Sequence, residues 1–285
     1  MINTEKGIIL IATGSPMYGR LAYNLAVTIK AVEKIPVIVL TNGAALNHLS
    51  DERKRVFDEI IQIPEQAFAA KLNVYDYSPF DETIYLDADM VWLPKKTPTE
   101  FFNEMKPLNF AAITEGFYDY ETGTETNSAH YHFWCNPIEA KEKYGLEGMF
   151  YQWRSELMYF RKCDEVKAMF DMAREIQATP KVEYKKFGTF VPDELGINIA
   201  ACKLGIHPHV RNWRPAYWHR LHGEGKPLHQ IMNECYLMSV GGNFATGIMK
   251  LCYNKVVSAA HKKLGLQYLF PLQSKRSTIP ERQKM

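Results

Sequence analysis

The stretch Ile84-Tyr85-Leu86-Asp87-Ala88-Asp89-Met90-Val91-Trp92 constrains this chain more than any other. An apolar run stops for two carboxylates one residue apart and then resumes. One ionised carboxylate is costly to bury, and two of like charge cost more. A divalent cation offsets that repulsion, and side chains two apart on a strand point the same way. The bare tripeptide also fits an ordinary strand end, with Asp87 capping a turn and Asp89 in water. What surrounds the pair decides between these readings.

Upstream, strand and helix signals alternate. Residues 7–13 form a β-like apolar run closed by the turn cluster Thr13-Gly14-Ser15-Pro16. Leu21, Leu25, Ile29 and Val32 then recur at helical spacing. Residues 36–40 read as a second strand, 50–56 as a short helix and 60–63 as a third strand. Residues 71–78 read as a helix leading to the strand that ends at Asp87. Such alternation predicts an α/β fold with a mostly parallel central sheet flanked by helices. Ligands of such sheets bind at the carboxyl ends of the strands, where Ser15, Tyr18, Asp87 and Asp89 all fall. Further on, 110–114 and 157–160 read as strands and 115–136 as a loop. A helix starts at Asp164, which is expected to cap it, and another opens at Pro192-Asp193-Glu194.

The 285 residues can hold one large core, and 46% hydrophobic with 23% charged residues is ordinary for a globular protein. Five cysteines, odd in number and without metal-ligand spacing, read as free thiols in a reducing, cytoplasmic compartment. No segment is long enough and apolar enough to span a bilayer, and the first residues lack the pattern of a signal peptide. The net charge of +2 is uneven. Residues 250–285 carry eight Lys/Arg against Glu281 alone, a net of +7, which leaves about −5 for residues 1–249. The expected organisation is therefore a main domain over 1–249 and a basic helix and tail over 250–285.

Four features in order give the chain a resemblance to the GT-A fold nucleotide-sugar glycosyltransferases, closest to the glycogenin-like family 8 group of retaining enzymes. They are Thr13-Gly14-Ser15-Pro16-Met17-Tyr18 after the first strand, Lys71 sixteen residues before Asp87, the Asp87-Ala88-Asp89 motif, and His222-Gly223-Glu224-Gly225-Lys226-Pro227. The resemblance covers roughly residues 7–230. It implies Mn²⁺ or Mg²⁺ held by Asp87, Asp89 and His222, with His219 the alternative imidazole, and a UDP-sugar donor. A divalent metal neutralises a diphosphate leaving group, which is otherwise poor. By the same resemblance Lys71 and Lys226, beside Gly225, steady the diphosphate and sugar, Tyr18 flanks the base, and Thr13 or Ser15 hydrogen-bonds it. Tyr18 as a helix-start aromatic and Lys71 as a solvated lysine are the plainer alternatives.

The chain also departs from the family pattern. Its Asn-Ser-Gly stretch is here Arg154-Ser155-Glu156, and its Asp-Gln is Asp193-Glu194. Asp193, Arg154 and Glu156 are the candidate catalytic residues, Asp193 contacting the sugar and guiding the acceptor. A simple helix-start role for Asp193 stays open. Retention is implied by the family, and no Asp or Glu is plainly set as an inverting base. A sugar nucleotidyltransferase is the alternative enzyme, but residues 13–20 lack the Gly-rich basic loop that grips triphosphate. Several stretches, among them Trp213-Arg214-Pro215-Ala216-Tyr217-Trp218, resemble glycosyltransferases of large tailed phages, some of which modify their own DNA. With the basic tail and its interleaved rings, this makes hydroxymethylated DNA one expected acceptor and a glycan or lipid-linked sugar the other. The tail is expected to form a helix over 253–264 with Val256, Val257, Ala260 and Leu264 on one face.

Overall fold

The computed structural model describes residues 5–65, 67–126, 133–186, 190–208, 215–218, 228–240 and 247–272. The chain opens with β1 (Lys6–Ala12), α1 (Pro16–Val32), β2 (Val37–Thr41), α2 (Asp51–Lys54) and β3 (Glu59–Gln62). Two short helices follow, α3 (Ala67–Leu72) and α4 (Val74–Tyr77), where the sequence suggested one. Then come β4 (Glu82–Asp87), β5 (Met90–Trp92), α5 (Pro98–Met105), β6 (Phe110–Asp119) and β7 (Glu125–Thr126). The remainder is α6 (Pro137–Tyr144), β8 (Met149–Arg161), α7 (Asp164–Ala178), α8 (Asp193–Lys203), β9 (Ala216–Trp218), α9 (Leu228–Glu234), β10 (Leu237–Ser239) and α10 (Gly247–Lys263).

Seven strands form the main sheet in the order β3-β2-β1-β4-β8-β6-β7. The first four are parallel, and β8 enters antiparallel to both β4 and β6. The carboxyl ends of β1, β4 and β6 therefore share one edge. Ile8 to Leu10 of β1 are fully buried, as a central parallel strand covered on both faces requires. Ile8 and Leu10 face α1, α5 and α10; Ile9 and Ile11 face α3, α7 and α8. A second sheet, β5-β10-β9, begins where the chain leaves β4.

Two expectations need correction here. Asp164 does not cap α7: Cys163 holds the cap position without a side-chain bond, and Asp164 begins the first turn. Its charge there still favours the helix dipole. The segment 115–136 is not all loop, because β6 continues to Asp119 and turns into β7. Glu115-Gly116 breaks the apolar run there and hid that extension.

Helix α10 packs on α1 through buried Tyr253, Val256, Val257 and Ala260, whereas Leu264 lies beyond the helix and is exposed. Asn24 Nδ2 donates to Tyr253 Oη at 3.1 Å and to the Phe270 carbonyl at 3.2 Å. Asn254 holds Leu272 by two bonds, Nδ2 to its carbonyl at 3.0 Å and its N–H to Oδ1 at 2.8 Å. Arg20 and Arg53 lie 5.4 and 5.5 Å from the Phe270 ring centre. The rings of Tyr253, Tyr268 and Phe270 thus pack on the body, while Lys255, Lys262 and Lys263 face solvent. Lys275 and Arg276 lie outside the described residues. All five cysteines are free, and no described helix is long and apolar enough to cross a membrane.

Candidate active site

The turn from β1 to α1 builds one wall. Gly14 has φ +76°, a conformation that side-chain-bearing residues rarely adopt. Ser15 caps α1 by accepting from the Met17 N–H at 3.2 Å, so its hydroxyl already has a structural task. Thr13 is buried at the strand end, and Tyr18, in the first turn of α1, is 42% exposed. Burial raises the Tyr18 hydroxyl pKa; Asp89 and Asp87 raise it further, and Lys71 opposes them. Tyr18 therefore stands within the field of the acid pair.

Asp87 is the last residue of β4, and Asp89 lies in the turn to β5, not on the strand as the alternation suggested. The turn is pinned where the Asp89 carbonyl accepts from the Val240 N–H at 3.0 Å, and Ala88 is buried within it. Both carboxylates are half-buried. Lys71 Nζ lies 2.9 and 3.0 Å from the two Asp87 oxygens, and Tyr85, two residues back on the same face, donates to Oδ1 at 2.6 Å. Lys71 is no solvated lysine: it also donates to Ser155 Oγ at 3.2 Å and sits 3.7 Å from Asp193 Oδ2. Burial opposes its charge, but Asp193 and Asp87 outweigh that and raise its pKa.

The opposite wall is made by irregularities in β6 and β8. Pairing runs Ala112 with Met158 and then Ile113 with Arg154, which leaves Ser155 to Leu157 as extra residues on β8. A second shift between Thr114 and Phe117 sets Glu115 and Gly116 of β6 opposite Gln152 alone. Bulges of this kind re-aim side chains. Here they gather Glu115 and Glu156 around Arg154, whose Nε is 3.4 Å from Glu115 and 3.7 Å from Glu156. Arg154 Nη1 also donates to Glu194 Oε2 at 3.0 Å. Glu194 accepts further from the Ser155 N–H at 3.2 Å, the Ser155 hydroxyl at 3.4 Å and the Trp134 indole N–H.

Helix α8 delivers Asp193 and Glu194 from its first turn. Pro192 holds the cap position, so Asp193 is not an N-cap. The helix lies close to α7 because Gly196 leaves room: a Cβ there would meet the Ala173 carbonyl oxygen at 2.4 Å. Asp193 and Glu194 are 2% and 6% exposed, a setting for which hydrogen bonds and ion pairs must compensate.

The cluster holds more carboxylates than cations, and protons make up the difference. Burial pushes Glu115 up to about 7 against the pull of Arg154, with Glu194 adding to the rise. Glu156 goes up to about 8 from burial, again opposed by Arg154 and reinforced by Glu194 and Glu115. Asp193 is raised by burial, with Lys71 opposing. Raised carboxyl values mean a stability contribution fully present below the ordinary value of 4.5 and lost as pH rises through about 7 and about 8. The thermal midpoint should therefore fall across that window. The double variant Glu115→Gln/Glu156→Gln should flatten the decline in calorimetry at stepped pH. An equally steep fall in the variant would show that these carboxyls are not its cause.

Two hard-oxygen donors at the rim suit a divalent cation such as Mn²⁺ or Mg²⁺. The expected third ligand, His222, lies outside the described residues, as do His219, Gly225 and Lys226. Among the described residues no set of three His, Cys, Asp or Glu is gathered for a metal. The structure brings together Tyr18, Lys71, Asp87, Asp89, Ser155 and Asp193 at one edge, with Arg154 and Glu156 beside them. Sequence reading missed Glu115 and the central role of Glu194. The signal for the first was Glu115-Gly116 breaking an apolar strand.

The architecture is the GT-A fold. No protein-family model and no curated protein matches the chain. Among solved structures, the galactosyltransferase LgtC in complex with donor and acceptor sugar analogues superposes with TM-score 0.54 and 14% identity over 92% of this chain and 97% of that one. The bifunctional glycosyltransferase WbbM gives TM-score 0.54 at 10% identity, covering 92% of this chain and 52% of that longer one. Mouse xyloside xylosyltransferase 1 gives 0.50 at 10%, covering 85% and 99%.

Proposed function

We propose that the protein is a metal-dependent glycosyltransferase that moves a sugar from a UDP-sugar to an acceptor hydroxyl with retention. The observation that carries this reading is the meeting of Asp87 and Asp89 with Tyr18 and Lys71 at the carboxyl edge of a GT-A sheet. When bound, Mn²⁺ or Mg²⁺ would neutralise the departing diphosphate as a Lewis acid. Asp87 and Asp89 would hold it, with His222 as the expected third donor. Lys71 supplies a fixed positive charge next to that position, already oriented by Asp87, Asp193 and Ser155. Tyr18 offers a half-exposed ring beside the pair for the base. Asp193, 3.7 Å from Lys71, would face the donor sugar.

Retention is what the family resemblance implies. Glu156, pushed up to about 8 by burial, holds its proton near neutrality, and Glu194 is engaged by Arg154, Ser155 and Trp134, so neither stands ready as the base an inverting reaction requires. The nucleotidyltransferase reading loses ground at Gly19, where a Cβ would meet the Ala45 carbonyl oxygen at 1.9 Å. That glycine serves helix packing rather than a phosphate loop. A saccharide acceptor is favoured over DNA, because the C-terminal rings are occupied by packing. Free cysteines support the expected reducing, cytoplasmic setting.

Incubation with a panel of UDP-sugars and Mn²⁺ should release UDP, and chelation should stop it. Manganese titration followed by electron paramagnetic resonance should register binding without donor. Release from no nucleotide sugar, with or without acceptors, would reject the enzyme. NMR of the earliest product should show the donor's anomeric configuration, and the opposite anomer would refute retention.

A further inference from the structure

We propose that a cleft two strands outward from Asp87 is the acceptor subsite and takes a neutral or amino oligosaccharide; the acceptor role rests on the glycosyltransferase reading above. The cleft has a volume of about 660 Å³ and lies between the β6–β7 hairpin, the segment before α6 and residues 183–185. Four aromatic residues, Tyr118, Phe133, Trp134 and Tyr184, contribute to its lining. Sugar rings present apolar C–H faces that aromatic surfaces cover well, and their hydroxyls donate to carboxylates. Glu139 and Glu183 supply such acceptors, with Glu125 beside them, and Lys185 is the one cation among the described lining residues. That excess of negative charge repels phosphates, so neither a second nucleotide nor a DNA backbone suits the cleft.

The cleft is preformed and joined to the catalytic cluster. Cys135 and Tyr184 pair as a β-bridge, and the Lys185 N–H donates to the Trp134 carbonyl at 2.7 Å. Glu139 accepts from the Glu183 N–H at 3.1 Å, tying α6 to the same wall. Trp134 lines the cleft and gives its indole N–H to Glu194, the neighbour of Asp193. Trp134 is thus the side chain shared by the cleft and the acid cluster, and a saccharide of more than one ring seated here would extend past it toward the donor site.

Labelled protein on an array of neutral, amino and sialylated oligosaccharides and duplex DNA tests the assignment without any donor. Retention on neutral or amino saccharides is expected. Glu183→Gln and Tyr184→Ala should each weaken it by about tenfold, and Tyr184→Phe, which keeps the ring, should bind nearly as wild type. Retention only on DNA or sialylated spots, or undiminished binding by both weakened variants, would overturn the subsite. UDP release by the wild-type protein is measured in parallel. Release with a blank array overturns the subsite and leaves the enzyme standing. Saccharide binding without release from any nucleotide sugar supports the cleft and overturns the enzyme.

Discussion

Asp87→Asn should lower sugar transfer by about 10³-fold and remove most Mn²⁺ binding while the protein stays folded. Three interactions converge on this carboxylate: the Lys71 ammonium at 2.9 Å, the Tyr85 hydroxyl at 2.6 Å and the proposed cation. An amide keeps the shape and loses the charge. Lys71 then leans toward Asp193, 3.7 Å away, so its ammonium is drawn away from the diphosphate position. Stability should change little, because Lys71 keeps Asp193 and Ser155 and Asp87 sits at the half-open rim. Transfer rates under saturating donor, with paramagnetic titration of Mn²⁺, give the answer. Wild-type transfer by Asp87→Asn, with unchanged metal affinity, would remove this residue from the chemistry.

The first half of the fold was legible because its signals were local. Apolar runs over 7–13 and 36–40, closed by turn residues, became β1 and β2 within a residue or two. Asp87 was found through the break it makes in an apolar run and Lys71 through the family resemblance, and the structure joins them directly. The second half was harder to read. Strand β8 has 13 residues but only 157–160 carried a clean apolar pattern, because Arg154, Ser155 and Glu156 interrupt it at the bulge. Those polar residues are held inside the strand largely by partners distant in sequence, Lys71, Glu115 and Glu194. No local rule reports that partnership. Asp89 was misassigned for a related reason: period-two alternation assumes the strand continues, and the chain turns at Ala88 to enter the second sheet.

Arg154→Met should cost about 3–5 kcal/mol, lowering the thermal midpoint by about 10 °C. The Arg154 side chain is 5% exposed and its guanidinium faces Glu115, Glu156 and Glu194, each with no more than 11% of its side chain exposed. Methionine fills similar space but leaves three buried carboxyls without a cation. Protonation can relieve Glu115 and Glu156, whose values already stand near 7 and 8 because of burial. The loss should therefore be smaller at low pH. Without Arg154 the folded carboxyl values rise further, so the gap between wild type and variant widens as pH climbs from below 4.5 to above about 8. Adding Glu194→Gln should recover part of the loss, since the pair in contact at 3.0 Å does not act independently. Calorimetry of the wild type, both single variants and the double variant at several pH values measures the coupling. A loss below about 1 kcal/mol, or one that does not change with pH, would mean that Arg154 is not what holds this cluster of acids together.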